Sequence, residues 1–189
     1  MSSETTFEDQ ASVPSLATAH GILMGLAFVV FMPIGAVLIR SIESKNALWI
    51  HASCQLTGLA LVIAGLVTGV RLFQIKDQLD NNVHTVLGAV IAVGILLQPF
   101  IGYIHHRRYV RTQQRSNWST IHVWFGRTLL LLGIVNGGLG LQLALGSPEY
   151  SEVGLIVYSV LAGVAGLLLL GLIAYVGKTK GNQGAKVDA

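Results

Sequence analysis

Between Asp9 and Arg40 the chain carries no Lys, Arg, Asp or Glu, and its densely apolar part runs from Gly21 to Ile39. Four more such stretches follow: Ala47 to Val70, Val83 to Ile104, Thr120 to Leu145 and Val153 to Val176. Each is long enough to cross a hydrocarbon core ~30 Å thick at ~1.5 Å per helical residue. Backbone amides find no water in lipid, so only helices or closed barrels can span it. Unbroken apolar runs without alternation select helices. The stretches therefore predict an all-α, multi-pass membrane protein with five transmembrane helices. Composition agrees, since charged residues are 11% of the 189-residue chain against ~25% in soluble domains. The lone Cys54 excludes an internal disulfide and any multi-cysteine metal site.

The spans divide the chain into a polar N-terminal tail (1–14), a transmembrane domain (15–176) and a polar C-terminal tail (177–189) expected to lack order. Met1 to Ser12 is acidic and has no basic flank, so the first span does not read as a secretory signal. Lys and Arg give the orientation. With the N-terminus outside, Arg40, Lys45, Arg107, Arg108, Arg111, Arg115, Lys178, Lys180 and Lys186 are cytoplasmic, and Arg71 and Lys76 lie outside. Nine against two predicts an N-out, C-in topology in the plasma membrane or an endomembrane. The acids Glu4, Glu8, Asp9, Asp77, Asp80, Glu149 and Glu152 fall on the outer side.

His20, His51, His84 and His122 stand in or near the first turns of spans one to four. Because neighbouring spans run antiparallel, His20 and His84 share the outer level, and His51 and His122 the inner one. A single membrane histidine is most often an interfacial or satisfied polar residue. Four in two height-matched pairs fit two axial-ligand sites in a four-helix bundle, with a fifth, histidine-free helix at the periphery. Two neutral imidazoles fill both axial positions of a haem iron, which then exchanges electrons and binds no dioxygen. Gly58, Gly88 and Gly126 lie seven, four and four residues after His51, His84 and His122, where a porphyrin needs room. Gly21/Gly25, Gly65/Gly69 and Gly133/Gly137 equally have the spacing of close helix packing. The outer-then-inner order recurs in spans one–two and three–four, as two hairpins related by an axis along the membrane normal would produce.

These stretches resemble the cytochrome b561 family, especially the core that fungal proteins join to an extracellular DOMON domain. They are HGILMGLAFVVFMPIGAVLIR, HASCQLTGLALVIAGLVTG, HTVLGAVIAVGILLQPFIGYIHHRRY and WSTIHVWFGRTLLLLGIVNGGLGL. The resemblance covers about residues 15 to 175. It implies two b-type haems per chain, the outer held by His20 and His84 and the inner by His51 and His122. It also implies a transmembrane oxidoreductase that passes electrons from a cytosolic ascorbate-like donor to ferric iron or monodehydroascorbate. The sequence carries no DOMON domain before span one, and has five spans where the ascorbate-dependent branch has six. Donor, acceptor and direction therefore stay open, as do a homodimer and a separate DOMON-type partner. Beyond the bilayer and small-molecule redox partners, nothing points to nucleic acid.

Other groups carry weaker signals. Arg127 lies inside span four with no Asp or Glu in any span, so a haem propionate is its expected counter-ion, with snorkelling to the inner surface as the alternative. His105 and His106 end span three at the height of the inner pair and read as interfacial imidazoles. The arginines at 107, 108, 111 and 115 suit an anion such as ascorbate or a propionate, but topology and anionic lipids explain them better. Pro99 should kink span three, Asn136 should bond across helices, and Gln55, one turn after His51, suits an interhelical hydrogen bond better than the orienting of a ligand ring or a propionate. Trp49, Trp118 and Trp124 read as an inner aromatic belt. Two other readings remain: a non-redox transporter or scaffold, and a quinone-linked haem anchor for a soluble enzyme.

Overall fold

A computed structural model describes residues 6–76 and 82–187, with side chains through 175. Glu4, Asp77 and Asp80, and the side chains of Lys178, Lys180 and Lys186, lie outside this description. The first span comprises α1 (Phe7–Gly25), a π-helical segment (Leu26–Phe31) and α2 (Met32–Ser41). Spans two to five are α3 (Ala47–Lys76), α4 (Val83–Thr112), α5 (Asn117–Ala144) and α6 (Glu152–Val187). The described residues contain no strand, and five helices are long and apolar enough to cross a membrane.

The helix ends follow from local chemistry. Thr6 caps α1 in a reciprocal box, accepting from the Asp9 amide at 3.2 Å while the Asp9 carboxylate accepts from the Thr6 amide at 3.2 Å. Helix therefore begins at Phe7, inside the stretch expected to be a polar tail. Asn82 caps α4 through the Thr85 amide at 3.0 Å. At the other terminus α6 continues to Val187, so helix replaces the disorder expected after Gly177. An established helix adds one hydrogen bond for each further residue it fixes, and the tail has no proline to stop it.

The first span is not a regular helix, and its own sequence explains why. Pro33 has no amide hydrogen, and its ring would press on the carbonyl four residues back. The chain widens just before it, and the Met32 amide donates to the Ala27 carbonyl five residues away. Pro99, by contrast, lies within α4, which runs from Val83 to Thr112 as one helix.

All five spans contribute to one core: Ala27, Phe28 and Met32, then Val62, Ile91 and Ile95, then Leu129, Leu130 and Leu169. Apart from Leu169, whose helix has no histidine, these residues follow the histidines of their own helices by about seven to twelve positions, so the core fills mid-height between the two histidine levels. Glycines make holes for its larger members. A Cβ at Gly58 would meet Met32, one at Gly65 would meet Met24, and one at Gly133 would meet Phe28. Gly58 thus serves packing, whereas Gly21 and Gly25 face open space. The fifth span, α6, packs on α2, α5 and the π segment and leaves most of its surface outward, as a peripheral helix.

Candidate functional site

The histidines of different hairpins meet in twos. The His20 and His84 rings lie 6.0 Å apart between centroids with planes at 89°, and those of His51 and His122 lie 6.4 Å apart at 85°. Both pairs join the first hairpin (spans one and two) to the second (spans three and four). Among the described residues no group of three or more His, Cys, Asp or Glu gathers at one point. Each pair therefore offers two ligands and no more.

Backbone carbonyls orient three of the four rings. His20 Nδ1 lies 2.8 Å from the Gly65 carbonyl, His51 Nδ1 2.9 Å from that of Gly35, and His84 Nδ1 2.9 Å from that of Asn136. A carbonyl oxygen only accepts, so each ring must carry its proton on Nδ1. That leaves the Nε2 lone pair free to bind a metal, the arrangement usual for ligating histidines. His122 differs: its Nδ1 is buried without a partner among the described residues. Its ring stacks on His105, 6.0 Å away at 23°, and His105 Nδ1 is likewise buried and unpartnered.

The spacing suits a planar metallocycle. Two metal–imidazole bonds of ~2 Å plus the two ring half-widths separate coaxial ring centroids by ~6 Å. Two opposed nitrogens complete an iron that already has four in-plane nitrogens, so the donor set fits haem better than a free ion, which would need more protein ligands.

The surrounding polar groups sort by contact. Arg127 is buried at 8% exposure and lies 5.3 Å above the Trp124 ring, with no carboxylate partner among the described residues. Gln55 donates to the Met32 carbonyl at 3.0 Å, an interhelical bond rather than a contact to a ring. Asn136 uses its carbonyl for His84, while its side-chain Oδ1 is buried without a partner. Arg107 turns back onto Tyr103, and Arg107, Arg108, Arg111 and Arg115 are exposed. Trp49 and Trp124 are exposed and Trp118 is half-buried. At the opposite end Arg71 pairs with Asp9 at 3.4 Å and Lys76 with Glu149 at 2.9 Å.

Sequence reasoning missed three glycines and one stacking contact. A Cβ at Gly69 would stand 2.7 Å from His20 Cε1, one at Gly140 2.8 Å from His84 Cε1, and one at Gly102 2.9 Å from His122 Cε1. Spacing along a histidine's own helix does not point to them, because each ring leans on the neighbouring helix, and Gly69 carries only the spacing of close helix packing. The stacking of His105 on His122 had a signal in their matching heights.

The family model for eukaryotic cytochrome b561 matches residues 19–146, a range that includes all four histidines. A cytochrome b561 and DOMON domain-containing protein of Arabidopsis thaliana is 31% identical over 129 residues, covering 67% of this chain and 32% of its own length. A second such protein from the same plant is 29% identical over 154 residues, covering 79% of this chain and 38% of the relative. A cytochrome b561 domain-containing protein, also from Arabidopsis thaliana, is 28% identical over 131 residues, covering 65% and 49%. The chain thus spans about a third to a half of the length of these relatives. No solved structure matches it. With four histidines paired across a five-span helical bundle and more than half its length matched, the chain belongs to the eukaryotic cytochrome b561 family of multi-pass membrane haem proteins.

Proposed function

We propose that this protein carries electrons across the bilayer through two b-type haems, the outer ligated by His20 and His84 and the inner by His51 and His122. The observation that carries the reading is the approach of both histidine pairs to about 6 Å with three of four Nδ1 atoms already committed to carbonyls. Bound there, haem would supply reversible one-electron chemistry. His20 and His84 would hold the outer group by Nε2, and His51 and His122 the inner one. The carbonyls of Gly65, Gly35 and Asn136 fix tautomer and ring plane, which keeps each Nε2 directed inward. Arg127 neutralises a propionate of the inner haem, since a buried guanidinium with only an aromatic face beside it lacks a counter-charge.

The N-terminus lies outside and the inner pair faces the cytosol, on the distribution of Lys and Arg. An ascorbate-like donor then delivers electrons at the inner face, and ferric iron or monodehydroascorbate takes them outside. A DOMON-bearing relative or subunit is a fitting redox partner, because the matched relatives carry that domain in their names.

The test is a reduced-minus-oxidised spectrum of purified protein, followed by titration with ascorbate. Wild type should be red and reduced by ascorbate. His51→Ala or His122→Ala should remove the inner signal only, and His20→Ala or His84→Ala the outer only. A folded, colourless protein would favour the transporter or scaffold reading, and reduction by quinol but not ascorbate the anchor reading.

A further inference from the structure

Three helices of the four-helix bundle carry, about four turns beyond their own histidine, a carbonyl that meets the histidine of the hairpin partner, and the fourth has Gln98 at the matching sequence position. Gly65 comes 14 residues after His51, Gln98 14 after His84, and Asn136 14 after His122. Fourteen residues at 3.6 per turn bring a position back to nearly the same face. In the first span Gly35 comes 15 after His20, and the π segment Leu26–Phe31 lies between them. A π turn absorbs one extra residue, so the same face is reached. The carbonyls of Gly65, Gly35 and Asn136 are the acceptors already described for His20, His51 and His84. By the same register the carbonyl of Gln98 belongs to His122, the one ring whose Nδ1 is unpartnered.

Four residues after three of these carbonyls stands a glycine: Gly69 after Gly65, Gly140 after Asn136 and Gly102 after Gln98. These are the glycines on which the rings of His20, His84 and His122 rest, at 2.7, 2.8 and 2.9 Å from the position of an added Cβ. The first span departs from this arrangement, with Ile39 four residues after Gly35.

We propose that Gly69, Gly140 and Gly102 are positioning residues for the haem ligands. Each seats the imidazole of the paired helix over bare backbone, so that the carbonyl one turn earlier takes its Nδ1–H and Nε2 faces the iron. For His122 that acceptor is the Gln98 carbonyl in the haem-loaded protein. The inference rests on the two-haem reading above. A methyl group at any of the three glycines would meet a ring carbon well inside the ~3.5–4.0 Å at which carbon atoms rest. The ring must then tilt or slide, which loosens its hydrogen bond and turns its plane. The hydrogen bond sets ligand basicity and hence the reduction potential.

The experiment uses the full chain in detergent or nanodiscs, with haem content, spectroelectrochemical midpoint potentials and low-temperature EPR as readouts. Gly69→Ala and Gly140→Ala should shift the potential and EPR signal of the outer haem alone, and Gly102→Ala those of the inner haem alone. Gly163→Ala and Gly166→Ala, on α6 with open space at the added Cβ, should change neither. Wild type with two haems whose signals are unmoved by all three seat substitutions would overturn the inference. A wild type without two haems would instead bring down the functional reading beneath it. If a seat variant does not fold, pulsed EPR of wild type exchanged into deuterium oxide reads the Nδ1 deuteron of each axial ligand. A hydrogen-bonded quadrupole coupling for every ligand, His122 included, is the expected result. A free N–D on the inner haem would overturn the Gln98 assignment.

Discussion

At the scale of single residues, the chemistry rests on where a ring proton goes. His20, His51 and His84 each keep it on Nδ1 and donate it in a hydrogen bond to a carbonyl of a neighbouring helix, which leaves the Nε2 lone pair free. On the proposed reading, Arg127 acts on the inner haem through charge. Arg127→Gln should lower the midpoint potential of the inner haem and leave the outer unchanged in a redox titration, because a nearby positive charge favours the reduced form. Gln55 acts through packing alone. Gln55→Ala removes the bond to the Met32 carbonyl and should lower unfolding stability by about 1 kcal/mol, with both haem spectra retained. The four histidines were legible because ionisable groups in apolar runs stand out and their heights can be counted. The glycine seats were not, since a ring's contact with the next helix depends on rotations about the helix axes that spacing on one chain segment does not contain. Gly58 shows the error directly: it lies on the expected face and meets Met32.

At the scale of elements, the first span is the informative one. Its extra residue between His20 and Gly35 is taken up by the π segment, whose wide turn also spares Pro33 a clash with the preceding carbonyl. Deleting Val30 together with Pro33→Ala should convert the segment to ordinary α-helix and keep both haems by difference spectroscopy. Deleting Ala60 from α3, between His51 and Gly65, should cost a haem, because it rotates one end of a regular helix by ~100° relative to the other. Loss of haem from the first deletion, or none from the second, would contradict the shared register. The existence of five helices could be read from apolar length alone. Their ends could not: the Thr6–Asp9 box starts α1 early, and α6 runs on to Val187 through polar sequence. Local capping and helix propagation decided those boundaries, and neither registers in hydropathy.

At the scale of the whole molecule, two hairpins are joined by the histidine pairs and by a thin apolar core between their levels, with α6 on the outside. Beyond the core, the loop after α5 is tied to the end of α3 by Lys76 and Glu149. The hydrogen bond from Lys76, with a second from Ser147, holds the Glu149 carboxyl below the usual carboxylate range. A carboxyl lowered on folding stabilises the fold above its unfolded pKa of ~4.3, and that contribution fades as pH falls through the folded value. Thermal unfolding of Glu149→Gln should therefore sit slightly below wild type at neutral pH, by under ~1 kcal/mol, and converge with it in acid. The whole assembly stands or falls on metalloporphyrin content. Pyridine haemochrome assay of folded, monodisperse protein should find two b haems per chain in wild type and one in either His51→Ala or His122→Ala. A folded wild type with one haem, or a His122→Ala variant that keeps both, would contradict the paired-histidine account.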